Sequence, residues 1–145
     1  MVRVRVLAEK GALLPVYKTE GSAGADVSAF LPSSSVTLNP HDIVMVRTGL
    51  RLEIPNGYEV QVRPRSGLAA KNGITVLNAP GTIDSDYRGE LCVILINLSD
   101  VPFVINNGDR IAQLVVAPVV TAEFCAVCDI SSTERGDGGF GSTGI

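Results

Sequence analysis

Charge, cysteine and long apolar runs are all scarce in this 145-residue chain, and each scarcity removes a class of function. Charged residues make up only 19%, the formal net charge is -3 and the isoelectric point is near 5.1. No basic footprint for a nucleic-acid duplex or an anionic membrane is therefore present, and a polyanionic ligand has to be met by locally grouped arginines or by a metal. No apolar run approaches the roughly 20 residues of a membrane span, and Met1-Val2-Arg3 opens a strand-like pattern in place of a signal peptide. A cytoplasmic protein, with neither membrane nor nucleic acid as partner, is expected. Three cysteines, Cys92, Cys125 and Cys128, are too few and odd in number for a disulfide framework. Cys125-Ala126-Val127-Cys128 forms a CxxC, but structural zinc wants four ligands and the chain adds one cysteine and one histidine. Cys125 and Cys128 are expected to be buried strand residues, and His41, in Pro40-His41-Asp42, a turn residue.

What is abundant is apolar alternation. Hydrophobic residues reach 46% and mean hydropathy is +0.29, which is apolar for a small domain and points to surface covered by a partner subunit. The length fits one core. Val2, Val4 and Val6 alternate with Arg3 and Arg5. Leu50, Leu52 and Ile54 alternate up to Pro55-Asn56-Gly57, and Tyr58, Val60 and Val62 continue beyond it. Period two marks strands, and Asn-Gly between two of them reads as a hairpin. Leu91 to Ile96 is continuously apolar, as is Leu114 to Val120 apart from Pro118, so both are expected to be covered on two faces. One short helix is expected, capped by Ser66, formed by Gly67 to Lys71 and ended by Asn72-Gly73. Many short strands imply an all-β sandwich, jelly roll or barrel. After Ile130 the composition turns to Ser, Thr, Gly and Asp. The expected organisation is a β domain over 1–130 and a flexible glycine-rich tail over 131–145, able to extend about 50 Å and reach a neighbouring subunit.

Reactive residues gather in five places. Arg135 to Gly144 resembles both GxGxxG and a P-loop, yet no helix follows and Ser142 stands where a P-loop carries lysine. Glycines and the hydroxyls of Ser142 and Thr143 still suit a phosphate clamp, with Arg135 as a forked cation and Phe140 as a flat face for a base. The alternative is a plain Gly/Ser tail. Gly81 to Gly89 holds Asp84, Asp86, Tyr87 and Arg88. Asp84 either acts as general base on a water or caps a turn with Asp86. Pro64-Arg65-Ser66-Gly67 offers an arginine and a hydroxyl at a helix start, for an anion or simply as a cap. Asn106-Asn107-Gly108-Asp109-Arg110 looks like a hairpin turn, with Gln113 just beyond it. Asp26, in Ala23-Gly24-Ala25-Asp26, is a turn acid or a magnesium holder acting through water, since magnesium needs few direct protein ligands.

Taken together, Gly21 to Asp26, Pro64 to Ala69, Gly81 to Gly89, Gly108 to Gln113 and Arg135 to Gly144 resemble, in order, the five motifs of the trimeric dUTPase family. That resemblance implies a jelly-roll-like β barrel, assembled as a homotrimer whose shared active sites are closed by the mobile C-terminal tail. It implies Mg²⁺-dependent hydrolysis of dUTP to dUMP and pyrophosphate, which limits uracil incorporation into DNA and supplies dUMP for dTMP synthesis. Asp84 would activate the water that attacks the α-phosphorus. Tyr87 would pack on the deoxyribose, Asn78 would meet uracil, and Arg65, Ser66, Gly67 and Gln113 would contact phosphates. Asp26 would hold Mg²⁺ through water, Phe140 would stack on uracil, and Arg135, Gly141, Ser142 and Thr143 would bind the γ-phosphate end. Arg88 and Arg110 could touch substrate or hold loops. Two rivals remain at this point. One is a dCTP deaminase, which shares the barrel. The other is a catalytically silent nucleotide-binding relative.

Overall fold

The alternation in the sequence becomes ten short strands and one helix in a computed structural model that describes residues 1–140 and 142. The strands are β1 (Arg5–Ala8), β2 (Ala25–Ser28), β3 (Ser35–Leu38), β4 (Ile43–Glu53) and β5 (Tyr58–Arg63). After helix α1 (Ser66–Asn72) come β6 (Ile74–Val76), β7 (Gly81–Ile83), β8 (Glu90–Asn97), β9 (Phe103–Asn106) and β10 (Arg110–Pro118). One four-stranded sheet has the order β1-β4-β8-β6, another β2-β10-β5-β7, and β3-β9 forms a two-stranded ribbon. Every pairing is antiparallel. This is the expected all-β, jelly-roll-like architecture.

Successive side chains of a strand point to opposite faces, and the inward row of each sheet is apolar. Leu50 and Leu52 of β4 and Leu91, Val93 and Leu95 of β8 meet Val60 and Val62 of β5 and Leu114 of β10 in one buried cluster. Each such side chain, fully buried, contributes about 1.5–3 kcal/mol. Two polar residues share that interior without loss. Asn97 donates to the carbonyls of Leu38 at 3.0 Å and Val101 at 2.8 Å, while Thr48 donates to Leu91 at 2.6 Å. Satisfied in this way, they fix neighbouring loops at little cost.

Several sequence expectations change. Pro55-Asn56-Gly57 does not close a hairpin, because β4 and β5 lie in different sheets. Gly57 does take the positive φ that the turn needs, at 83°, but the turn carries the chain across the sandwich so that both apolar rows face one core. Asn106 to Asp109 behaves likewise, joining β9 of the ribbon to β10. Arg65, not Ser66, is the N-cap residue of α1, and no side chain caps it. Gly73, left-handed with φ 65°, ends the helix by donating back to Ala69, as expected of Asn72-Gly73. β8 buries one face completely and the other only half. β10 stops at Pro118, leaving Val119 and Val120 exposed. Cys125 and Cys128 are exposed and lie in no strand, against the expectation of burial, because among the described residues no strand pairs with that segment. His41 is an exposed turn residue with φ 66°.

Candidate functional site

The candidate functional residues fall into three groups. The first is built around Asp26, which β2 places almost out of contact with solvent, 6% exposed. β2 pairs with β10 so that Asp26 faces Gln113, and Gln113 in turn faces Arg63 at the end of β5. That register brings two hydrogen-bond donors and a second guanidinium onto one carboxylate. Arg110 Nη1 lies 2.7 Å from Oδ2, Gln113 Nε2 donates to Oδ1 at 3.2 Å, and Arg65 Nε stands 3.6 Å from Oδ1. Arg65 also donates through Nη1 to the carbonyl of Arg110 at 2.8 Å, which joins the start of α1 to β10. Burial by itself would raise the Asp26 pKa. The hydrogen bonds from Arg110 and Gln113 and the charges of Arg65 and Arg110 outweigh it, so the carboxyl sits below its ordinary value.

Two arginines meet one carboxylate here, so the group carries a net positive charge beside Ser66 and Gly67. A cavity of about 270 Å³ opens at this place, lined in part by Arg65, Leu68, Asp109 and Arg110. A Cβ on Gly67 would meet nothing within 4 Å, so no contact inside the chain requires glycine there. At Gly24, in contrast, a Cβ would come within 3.1 Å of Gln113; that glycine allows β10 and the preceding loop to close on Asp26.

The second group lies on the segment between β7 and β8. Asp84 and Tyr87 are exposed, and a cavity of about 430 Å³ is lined by Thr82, Ile83, Asp84, Tyr87, Cys92 and Ile94 among others. The segment is braced from within. Arg88 donates to the carbonyls of Ser85 at 2.7 Å and Tyr87 at 2.9 Å, and the Tyr87 hydroxyl donates to the Glu90 carbonyl at 3.1 Å. Gly89 makes room for this, because a Cβ there would collide with the Tyr87 ring. Glu90 is itself held by Arg47 Nε at 3.0 Å and by the backbone N–H of Gly49 at 2.9 Å. Asn78 lies across Gly81, at whose Cβ position its amide nitrogen would stand 3.2 Å away.

The third group is the tail. Arg135 Nε donates to the Gly138 carbonyl at 2.7 Å, and Ser142 N–H donates to Gly139 at 2.9 Å. Phe140 is fully exposed with φ 49°. Among the described residues no hydrogen bond joins positions 133–142 to the barrel. Gly141 and Thr143 lie outside the described residues.

Asp26, Arg65 and Gln113 thus converge, with Ser66 and Gly67 following Arg65 at the start of α1. Asp84, Asn78 and Tyr87 stand elsewhere, and the sheet order says how far. Asp26 and Arg63 are level across β2, β10 and β5, whereas β7 lies one strand further and Ile83 faces Val60. Three strand spacings sideways and about four residue rises along the strand put Asp26 and Asp84 roughly 20 Å apart. The roles of Arg110, Arg88 and Glu90 were not readable from sequence. Their partners depend on register, and no local signal links Arg110 to Asp26 across 84 positions.

As for metal, no group of three or more His, Cys, Asp or Glu side chains that could hold an ion occurs among the described residues. A lone carboxylate already engaged by two hydrogen-bond donors and a neighbouring guanidinium suits an ion bound mainly by substrate phosphates and touched by protein through water, which is how magnesium is commonly held.

Comparison with known proteins gives a consistent result. The dUTPase family model matches residues 10–144. A deoxyuridine 5'-triphosphate nucleotidohydrolase of Treponema pallidum is 53% identical over 145 residues, which is 100% of this chain and 99% of the relative. The protein of the same description from Desulfotalea psychrophila is 60% identical over 132 residues, covering 91% and 87% of the two chains. Among solved structures, the Staphylococcus bacteriophage 80alpha dUTPase with dUPNHPP superposes with a TM-score of 0.89 at 28% identity, covering 99% of both chains. A mutant dUTPase from phage phi11 of S. aureus, described with a structural Mg(II) ion, has a TM-score of 0.78 at 25% identity and covers 90% of this chain and 99% of its own. With the family model spanning nearly all its length and such relatives matching end to end, the chain belongs to the dUTPase family.

Proposed function

We propose that this protein hydrolyses dUTP to dUMP and pyrophosphate in the cytoplasm, limiting uracil incorporation into DNA and supplying dUMP for dTMP synthesis, at active sites shared among three copies of the chain. The observation that carries the reading is the strand register, which sets Asp84 just past the end of β7, three strands over and about four residue rises along from Asp26, a backbone separation of roughly 20 Å in one chain. A general base works within hydrogen-bond reach of the water it deprotonates. A phosphate gripped by Arg65 therefore meets Asp84 only if the two come from different copies.

In this reading Asp84 accepts the proton of the water that attacks the α-phosphorus. Arg65, the Ser66 hydroxyl, the N–H of Gly67 and Gln113 bind the phosphate oxygens. The open space at Gly67 supports close approach of an anion to the backbone. Asp26 keeps Arg65 and Gln113 aimed and would hold Mg²⁺ through water. Bound Mg²⁺ offsets charge on the phosphate oxygens. Tyr87, held by Gly89 and Glu90, packs against the deoxyribose face where a 2′-hydroxyl would clash. Asn78 and neighbouring backbone groups read uracil. The tail of a further copy closes the site, with Phe140 over the base and Arg135, Gly141, Ser142 and Thr143 at the γ-phosphate. Closure keeps bulk water from the leaving group and positions it.

The test is product identity. With Mg²⁺ present, pyrophosphate and dUMP should form from dUTP, and no ammonia from dCTP. Ammonia from dCTP would assign the deaminase reaction instead, and binding of dUTP without turnover would make the protein a nucleotide sensor.

A further inference from the structure

Residues 119–132 join the barrel to the tail, and the cysteine pair at their centre has no part in the site described above. From residue 120 to 132 no backbone–backbone hydrogen bond is formed among the described residues, and Cys125 and Cys128 are both exposed. The segment nevertheless alternates like a strand. Val120, Phe124, Cys128 and Ile130 share one parity, and Phe124 and Ile130 are 96% and 81% exposed. An unpaired segment with this pattern takes up a strand when a partner edge is offered.

We propose that Cys125 and Cys128 are a reversible oxidation site, whose intramolecular disulfide and the strand form of residues 120–130 exclude one another. In an extended strand, positions three apart point to opposite faces and their Cα atoms stand about 10 Å apart. A disulfide tolerates at most about 7 Å. Closing the bond therefore imposes a turn between Phe124 and Asp129, shortens the connection and takes Phe124 and Ile130 off their common face. This consequence for activity rests on the reading that the tail closes a neighbouring copy's site.

The oxidant is a low-molecular-weight disulfide such as oxidised glutathione. The Cys125 thiolate attacks one of its sulfurs, forms a mixed disulfide and releases one thiol. The Cys128 thiolate then attacks the Cys125 sulfur and releases the second. Two protein thiols are oxidised, one small disulfide is reduced to two thiols, and the two cysteine protons end on those products. Cys92 serves as an internal contrast, being half-buried on β8 with its thiol pKa raised by burial and by the Glu90 charge.

The experiment treats the full chain with oxidised or reduced glutathione and follows peptide mass, amide exchange and dUTP hydrolysis. The oxidised protein should lose about two mass units within the peptide holding Cys125 and Cys128, for the two thiol hydrogens released. Amide exchange over 120–130 should speed up at least about tenfold, and turnover should fall by about a hundredfold, with dithiothreitol reversing all three. Cys125→Ser and Cys128→Ser should match the reduced wild type in basal activity and resist oxidation. Absence of the mass loss, or a disulfide that leaves both exchange and turnover unchanged, overturns the proposal. If the reduced protein fails to hydrolyse dUTP, the functional reading falls, while mass and exchange still decide the switch.

Discussion

Replacing Asp26 by asparagine isolates the clasp, because the side chain keeps its shape while losing its charge and exchanging one acceptor oxygen for an NH2 donor. The Arg110 hydrogen bond at 2.7 Å is charge-assisted, a class with a net contribution of about 1.5–3 kcal/mol. Arg110 is 44% exposed, so its guanidinium turns to water once unpaired and the lower part of that range applies. Gln113 can still donate to the asparagine carbonyl, and Arg65 at 3.6 Å is too long to count as a hydrogen bond. The expected loss is about 2 kcal/mol, equivalent to a fall in Tm of about 4–8 °C for a chain of this size. It is read by urea denaturation of both proteins at equal concentration.

Acid supplies the second axis. The folded-state pKa of Asp26 lies below the ordinary value of 3.8. The clasp's contribution is therefore complete above that value and fades as pH falls through the lower folded-state one. The gap between wild type and Asp26→Asn should be constant at neutral pH and close in strong acid. A variant as stable as wild type at pH 7, or a gap that persists unchanged in acid, would refute the reasoning.

Three other outcomes are expected. Asp84→Asn should bind dUTP with unchanged affinity in calorimetry while turnover disappears; normal turnover would mean that another group takes the proton. Gly89→Ala should displace the Tyr87 ring and raise KM for dUTP while leaving the unfolding free energy from urea denaturation within about 1 kcal/mol of wild type, and an unchanged KM would separate Tyr87 from the substrate. Leu95→Ala, in the centre of β8, should cost about 2–5 kcal/mol in urea denaturation, and a smaller loss would place Leu95 outside the packed core.

Local rules foresaw the strands but not their partners. Alternation at Leu50 to Ile54 and at Tyr58 to Val62 correctly marks β4 and β5. The same pattern fits a hairpin and a crossing between two sheets, because both put every second side chain into a core, and only the third dimension separates them. Gly73 was legible as a helix stop, whereas the N-cap at Arg65 was not, since it carries no side-chain hydrogen bond. Cys125 and Cys128 sit in an apolar alternation indistinguishable in sequence from that of a buried strand. The five motifs were visible because their residue types are specific, but the clasp of Arg110 and Gln113 on Asp26 depends on the β2–β10 register. Nothing local encodes a pairing across 84 and 87 positions.

Sharing of the site between copies can be tested most directly by mixing two inactive variants. Asp84→Asn retains the arginine clasp, and Arg65→Met retains the base. Unfolded together in equal amounts and reassembled, they should recover about a quarter of wild-type dUTP hydrolysis, because in random closed assemblies that fraction of sites draws an intact Asp84 from one copy and an intact Arg65 from another. Mixed assemblies that remain as inactive as either parent would contradict the account.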